Sequence, residues 1–306
     1  MRCFLLLSTI AWFLFFGGLC GAGDQVFFQN EDLVISGEGH LGYEAKYLSQ
    51  IYPGAKREIE GSLGFKLLSK PTVWLIGNRA VFVKLSGSSY VSAFAVPSEH
   101  LIAIHISSMT SRLPVLDDTF KHELCHLILH DHIDQQVLPK WLDEGVCQWI
   151  SGTLGETLAG GGATIGRIDM VRRLIPLSQL AAAFPSDENS LYLAYRESRD
   201  FVEYLTAHYG SEGLRGILKR LEEGDSIGPA ISKSLSRSFQ DVQEEWIDDM
   251  QKRSEWLVWA TQNLYEIIFF IMAVLSILAY VRLRMRRRAY TGSDQDDDQA
   301  GSGAGL

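Results

Sequence analysis

The chain of 306 residues carries 37 acidic and 28 basic side chains for a net charge of −9, and 46% of it is hydrophobic. That apolar fraction, with unremarkable Pro and Gly content, excludes an intrinsically disordered protein and suffices for one substantial domain or two small ones. No nucleic-acid partner is expected.

Arg2, the run "CFLLLSTIAWFLFF" and the small residues "GGLCGAG" follow the charged, apolar, small-residue order of a secretory signal, so residues 1–22 are predicted to be removed. The run is also just long enough to stay as an uncleaved anchor. Either outcome sends the following domain to the same side. Leu19 stands where a small residue would precede a lipid-modified Cys20, which argues against a lipoprotein.

From about 41 to 62, Leu48, Ile51, Tyr52, Ala55 and Ile59 recur at helical spacing and predict an amphipathic helix in spite of Pro53. "PTVWLIG" reads as a short strand and "NRAVFVKLSG" as a short helix. "YVSAFAVPS" and "HLIAIHISS" read as two further strands, so a sheet of three or four strands is expected. Residues 117–131 and 138–150 read as helices, followed by a glycine-rich loop or lid, "AGGGATIG" at 159–166. "LYLAYRESRDFVEYLTAHYG" predicts a helix stopping at Gly210, and 211–223 and 239–253 continue the helical pattern.

Residues 264–281, "LYEIIFFIMAVLSILAYV", precede arginines at 282, 284, 286, 287 and 288, the pattern of a transmembrane helix with a cytoplasmic basic flank. Trp256 and Trp259 fit its outer interface, Tyr280 its inner one, and Glu266 is tolerable only near the outer headgroups. Residues 282–306 are the basic flank and a short, flexible acidic tail. Residues 23–255 are then an extracytoplasmic domain, with an α/β half at about 23–150 and a helical half at 151–255. The chain has no N-x-S/T sequon, which favours a bacterial cell envelope over a glycosylated ectodomain.

The chemistry concentrates in "FKHELCHLILHDH", residues 120–132. His122 and His126, four apart, share one helix face and can address one metal ion, with Glu123 beside them, while Leu124, Leu127 and Ile128 point elsewhere. Glu144 in "LPKWLDEGVCQWI" lies 18 positions beyond His126 and offers a third ligand from the next helix. His130 and His132 read as helix-end residues, and His100 and His105 as structural.

"HELCH" followed by "WLDEG" resembles the gluzincin metallopeptidases, and "LPKWLDEG" resembles the compact bacterial peptidases of that superfamily. The resemblance implies an α+β, zincin-like fold with one Zn2+ held by His122, His126 and Glu144, and Glu123 as general base. It also implies peptide or protein substrates. Tyr195 is either the donor that stabilises the oxyanion or a core residue on its apolar face. Gln148 and Thr119 are expected to support the zinc-bound imidazoles, Gln148 standing where some relatives carry an acid. The 90–108 region is expected to pair with extended substrate. It lacks the glutamate with which the aminopeptidase branch holds a free N-terminus, which favours endopeptidase action. A catalytically inactive, membrane-tethered binding or assembly factor of the same fold is the alternative. Cys125 and Cys147 lack the C-x-x-C spacing of a redox pair; they are either one disulfide bracing the site or two small core residues.

Overall fold

The structure is a computed structural model that describes residues 24–106, 113–152 and 173–300. The signal segment and the glycine-rich loop lie outside the described residues. The chain divides into two compact units, the first ending at Ile247 and the second beginning at Asp248.

In the first unit, strands β1 (Asp24–Gln29), β2 (Val34–Glu38), β3 (Thr72–Ile76), β4 (Ala93–Val96) and β5 (Leu101–His105) form a mixed sheet in the order β1-β2-β3-β5-β4. β2, β3 and β5 run parallel, while β1 and β4 pair antiparallel at the two edges. The sheet is thus larger than the three or four strands expected, because the hairpin β1–β2 adds to one side. Its turn is built on Asn30, whose side-chain oxygen accepts the backbone N–H groups of Asp32 and Leu33.

The central strands read as continuous apolar runs because both faces are covered. Trp74, Ile76, Leu101 and Ala103 on one face pack with Phe82 of helix α2 (Arg79–Ser86). Val73, Leu75, Ile102 and Ile104 alternate onto the other face and are fully buried. Helix α1 (Gly42–Leu63) buries Leu48, Tyr52, Ala55 and Ile59 and leaves Pro53 exposed, where the helix tolerates it. Tyr52 meets Phe120 of helix α3 (Leu113–His132) at a centroid distance of 6.4 Å.

Helix α4 (Lys140–Ser151) packs between α3 and helix α5 (Glu188–Glu222). Gly145 makes the second contact close: a Cβ there would stand 2.4 Å from the Ser198 carbonyl oxygen. α5 breaks at Gly210, whose φ of 71° and ψ of 171° suit glycine, and a second helical stretch resumes at once. Trp141 packs on Phe201 and Phe239, and Trp246 on Phe201, which builds an aromatic core with helices α6 (Ile227–Leu235) and α7 (Phe239–Gln262).

The second unit holds the end of α7 and helix α8 (Leu264–Ala300). Leu264–Arg284 is long and apolar enough to cross a bilayer, and side chains such as Phe269, Phe270 and Leu278 are exposed. The helix continues to Ala300, through much of the stretch expected to be a flexible tail. Propagating a formed helix adds one hydrogen bond per residue fixed, and no proline interrupts this one.

Candidate active site

α3 is buried around most of its circumference, with Leu124, Leu127 and Ile128 at 1% exposure or less. That packing fixes the register of its polar face. His122 and His126 lie one turn apart, their rings at 86° and their centroids 4.8 Å apart. Their Nε2 atoms are 3.2 Å from each other, and Glu144 Oε2 from α4 lies 3.4 Å from the first and 3.5 Å from the second.

These three residues could hold a metal ion. A four-coordinate zinc with bonds of about 2.0–2.1 Å spaces its donors roughly 3.3–3.4 Å apart, so the triangle has the size of one tetrahedral face. Glu144 Oε2 is buried and has no hydrogen-bond partner among the described residues, which leaves it available to another group. The residues present fit the ion.

Asp143 does the orienting expected of Gln148. Its Oδ1 lies 2.6 Å from His126 Nδ1, so that nitrogen donates its proton and Nε2 faces the triangle with its lone pair. Its Oδ2 is 3.3 Å from His130 Nε2, which gives His130 a structural partner. His126, His130 and Asp143 also lie close enough to hold an ion, but there the His126–Asp143 contact is already a short hydrogen bond. Gln148 and Thr119 are buried, and neither side chain has a hydrogen-bond partner among the described residues; His122 Nδ1 likewise has none. The support expected from these two side chains is therefore absent as direct contacts.

Electrostatics follow from burial. Burial opposes charge on His126, but Asp143 and Glu144 outweigh it and raise the imidazole well above its ordinary range. The cluster draws positive charge to this spot, which a proton or a metal ion supplies. Burial likewise opposes ionisation of Glu144, yet Lys140 and the two histidines hold its carboxyl well below the usual range. Glu123 is shifted the other way: burial raises it, against the pull of His122 and His126. Lys140, which the sequence did not single out, places Nζ 2.6 Å from Glu144 Oε1.

All these groups border a cavity of about 850 Å³, bounded by Phe94 and Ala95 of edge strand β4, by the 135–139 connection, by Ala181 and Ala182, and by Tyr195 of α5. Tyr195 is half-buried, its ring edge-on to Phe184 at 5.0 Å, and burial together with Glu144 raises its phenol. It lines the cavity that the imidazoles line, which a purely internal core residue would not.

The sequence model of the peptidase MA superfamily matches residues 84–251, from α2 through α7. The chain belongs to the peptidase MA superfamily. A search of the curated proteins returns no match. The match takes in β4, both helices of the triangle and Tyr195, so the whole cavity wall named above falls in the superfamily region. Membership supports a peptidase-like function on peptide or protein substrates.

The other singled-out residues make different contacts. His132 stacks on Phe65 at 4.4 Å and bonds Glu222 and the Lys66 carbonyl. His100 lies 3.8 Å from Asp131 and His105 is buried against Phe82. Cys125 and Cys147 are fully buried and face each other where α3 and α4 pack, with Cys147 Sγ also 3.6 Å from His126 Nδ1.

Proposed function

We propose that the chain is a membrane-anchored zinc metallopeptidase of gluzincin type, acting as an endopeptidase outside the cytoplasm of a bacterial cell. The observation that carries this is the triangle of His122 Nε2, His126 Nε2 and Glu144 Oε2, with sides of 3.2, 3.4 and 3.5 Å, opening on the cavity. When bound there, zinc supplies a Lewis acid that polarises a carbonyl and acidifies water.

The protein's own groups do the rest. Glu123 takes the proton of the attacking water and hands it to the leaving amine, and its burial-raised carboxyl suits a group that must both accept and release. The Tyr195 phenol, kept protonated by burial and by Glu144, donates to the oxyanion that develops on the substrate carbonyl. Edge strand β4, which among the described strands pairs only with β5, supplies backbone donors and acceptors for an extended peptide. Endopeptidase action is supported by the cavity-facing residues of β4, Ala93, Phe94 and Ala95, none of which is a carboxylate for a free amino terminus.

The anchor is the apolar stretch at Leu264–Arg284, with the following arginines in the cytoplasm and the 23–255 domain on the far side, after loss of residues 1–22. Zinc content of the purified full-length protein, measured beside cleavage of N-terminally blocked and free peptide libraries, tests the reading. Stoichiometric zinc and cleavage of blocked peptides are expected. A zinc-loaded protein that cleaves neither library would sink it.

A further inference from the structure

Lys140 breaks two local rules. It is the first residue of α4, where a cation opposes the helix dipole, and it precedes its partner Glu144 by four residues, the less favourable order for such a pair. Helix stability therefore gives no reason for a lysine here. Its backbone N–H donates to the Ala181 carbonyl at 2.8 Å, which pins the start of the helix, and its side chain reaches forward to Glu144 in the cavity wall.

There Nζ stands 2.6 Å from Glu144 Oε1 and 3.7 Å from Asp143 Oδ2. The two oxygens of Glu144 are thus differently placed: Oε1 is taken by an ammonium, and Oε2 is buried, without a hydrogen bond, and faces both imidazole nitrogens. The charges also close. Glu123, Asp143 and Glu144 as carboxylates, the Lys140 ammonium and one divalent cation sum to zero, whereas without Lys140 the buried group keeps a net negative charge.

We propose that Lys140 is a positioning residue that makes Glu144 a one-oxygen ligand, reserving Oε2 for the metal and denying it Oε1. This rests on the metal reading of His122, His126 and Glu144. Lys140 lines the cavity, and its part in this proposal runs through Glu144, whose carboxylate rotation it restrains. With the ammonium gone, both oxygens are available, and a two-oxygen carboxylate raises the coordination number of a bound ion.

Cobalt(II) reports this directly, since four-coordinate Co2+ absorbs visible light several-fold more strongly than the same ion with more ligands. The full-length chain in detergent, as wild type, Lys140→Met and Lys140→Arg, is titrated with Co2+, and helical content is followed by far-UV circular dichroism. An intense wild-type band, a band at least halved in Lys140→Met and recovery in Lys140→Arg are expected. Lys140→Ala, which truncates without adding bulk, replaces the methionine variant if that one loses helicity. A Lys140→Met or Lys140→Ala spectrum equal to wild type in a folded protein overturns the proposal while leaving the metal site standing. A wild type that takes up neither Co2+ nor Zn2+ overturns the metal reading itself, and this proposal with it.

Discussion

Buried carboxyl groups occur on α4, facing the cavity, and on α5, inside the helical packing, and their oxygens are treated differently. On α5, Glu197 accepts the Ile175 backbone N–H with both oxygens, at 3.1 and 3.2 Å, and Asp200 Oδ2 accepts the Trp246 indole N–H at 2.9 Å. On α4, Asp143 is bound by two imidazoles, while Glu144 leaves Oε2 without a hydrogen bond. An unsatisfied buried acceptor costs about 1–3 kcal/mol and more when charged, so it persists where another group is meant to complete it. The difference is local: α5 uses its acids to hold a segment and a ring, whereas Glu144 Oε2 on α4 has no hydrogen-bond partner among the described residues.

The sharpest way to break that comparison is to remove the reserved ligands. His126→Ala or Glu144→Ala is expected to abolish both zinc binding and cleavage, as is extraction with a strong chelator, and zinc restores only the chelated wild type. Retention of stoichiometric zinc by Glu144→Ala, measured by elemental analysis, would place the ion elsewhere. Glu123→Gln comes next. It keeps the shape and removes the base, so kcat/KM falls on the order of 10²–10⁴-fold with zinc content unchanged. Tyr195→Phe follows, with a loss in kcat of roughly 10²–10³-fold, little change in KM and unchanged zinc. A Tyr195→Phe enzyme as fast as wild type would return that ring to the role of a cavity wall.

Part of this contrast is legible in the sequence, and the reason is periodicity. His122, Glu123 and His126 lie within one turn or so of a single helix, where spacing alone dictates a shared face, and Glu144 follows on a helix joined by a short connection. Tyr195 is less legible: its helical period places it with apolar neighbours, and only the packing of α5 against α4 turns it to the cavity. Lys140 and Asp143 are hidden for a different reason, because charges in the first turn of an amphipathic helix look like a solvated face. Here Asp143 is only 4% exposed, while Lys140 stays partly exposed with its ammonium turned to Glu144. Gln148 is suggested only by analogy with an acid at the same spacing, while His126 donates its hydrogen bond to Asp143, one residue before Glu144. The hairpin β1–β2 escapes notice because each strand is short and its partner is set by turn chemistry and by parallel pairing with the distant β3.

The smallest effect on catalysis is expected at the buried acids of α5. Burial raises the Glu197 carboxyl from 4.5 to about 8, against the hydrogen bond from Ile175. A group whose folded pKa lies above its unfolded value stabilises the native state below the unfolded pKa, and that stability is lost as pH rises through the folded one. Between about pH 4.5 and 8 the folded protein therefore retains a proton on Glu197 that the unfolded chain releases. Stability falls by roughly 1.4 kcal/mol per pH unit on this account. Glu197→Gln accepts the same N–H and carries no charge, so it removes that slope and leaves kcat/KM as in wild type. Urea unfolding of both proteins at several pH values reads the difference: parallel curves would show that Glu197 ionises freely, and a fall in activity would join the two groups of acids that the structure keeps apart.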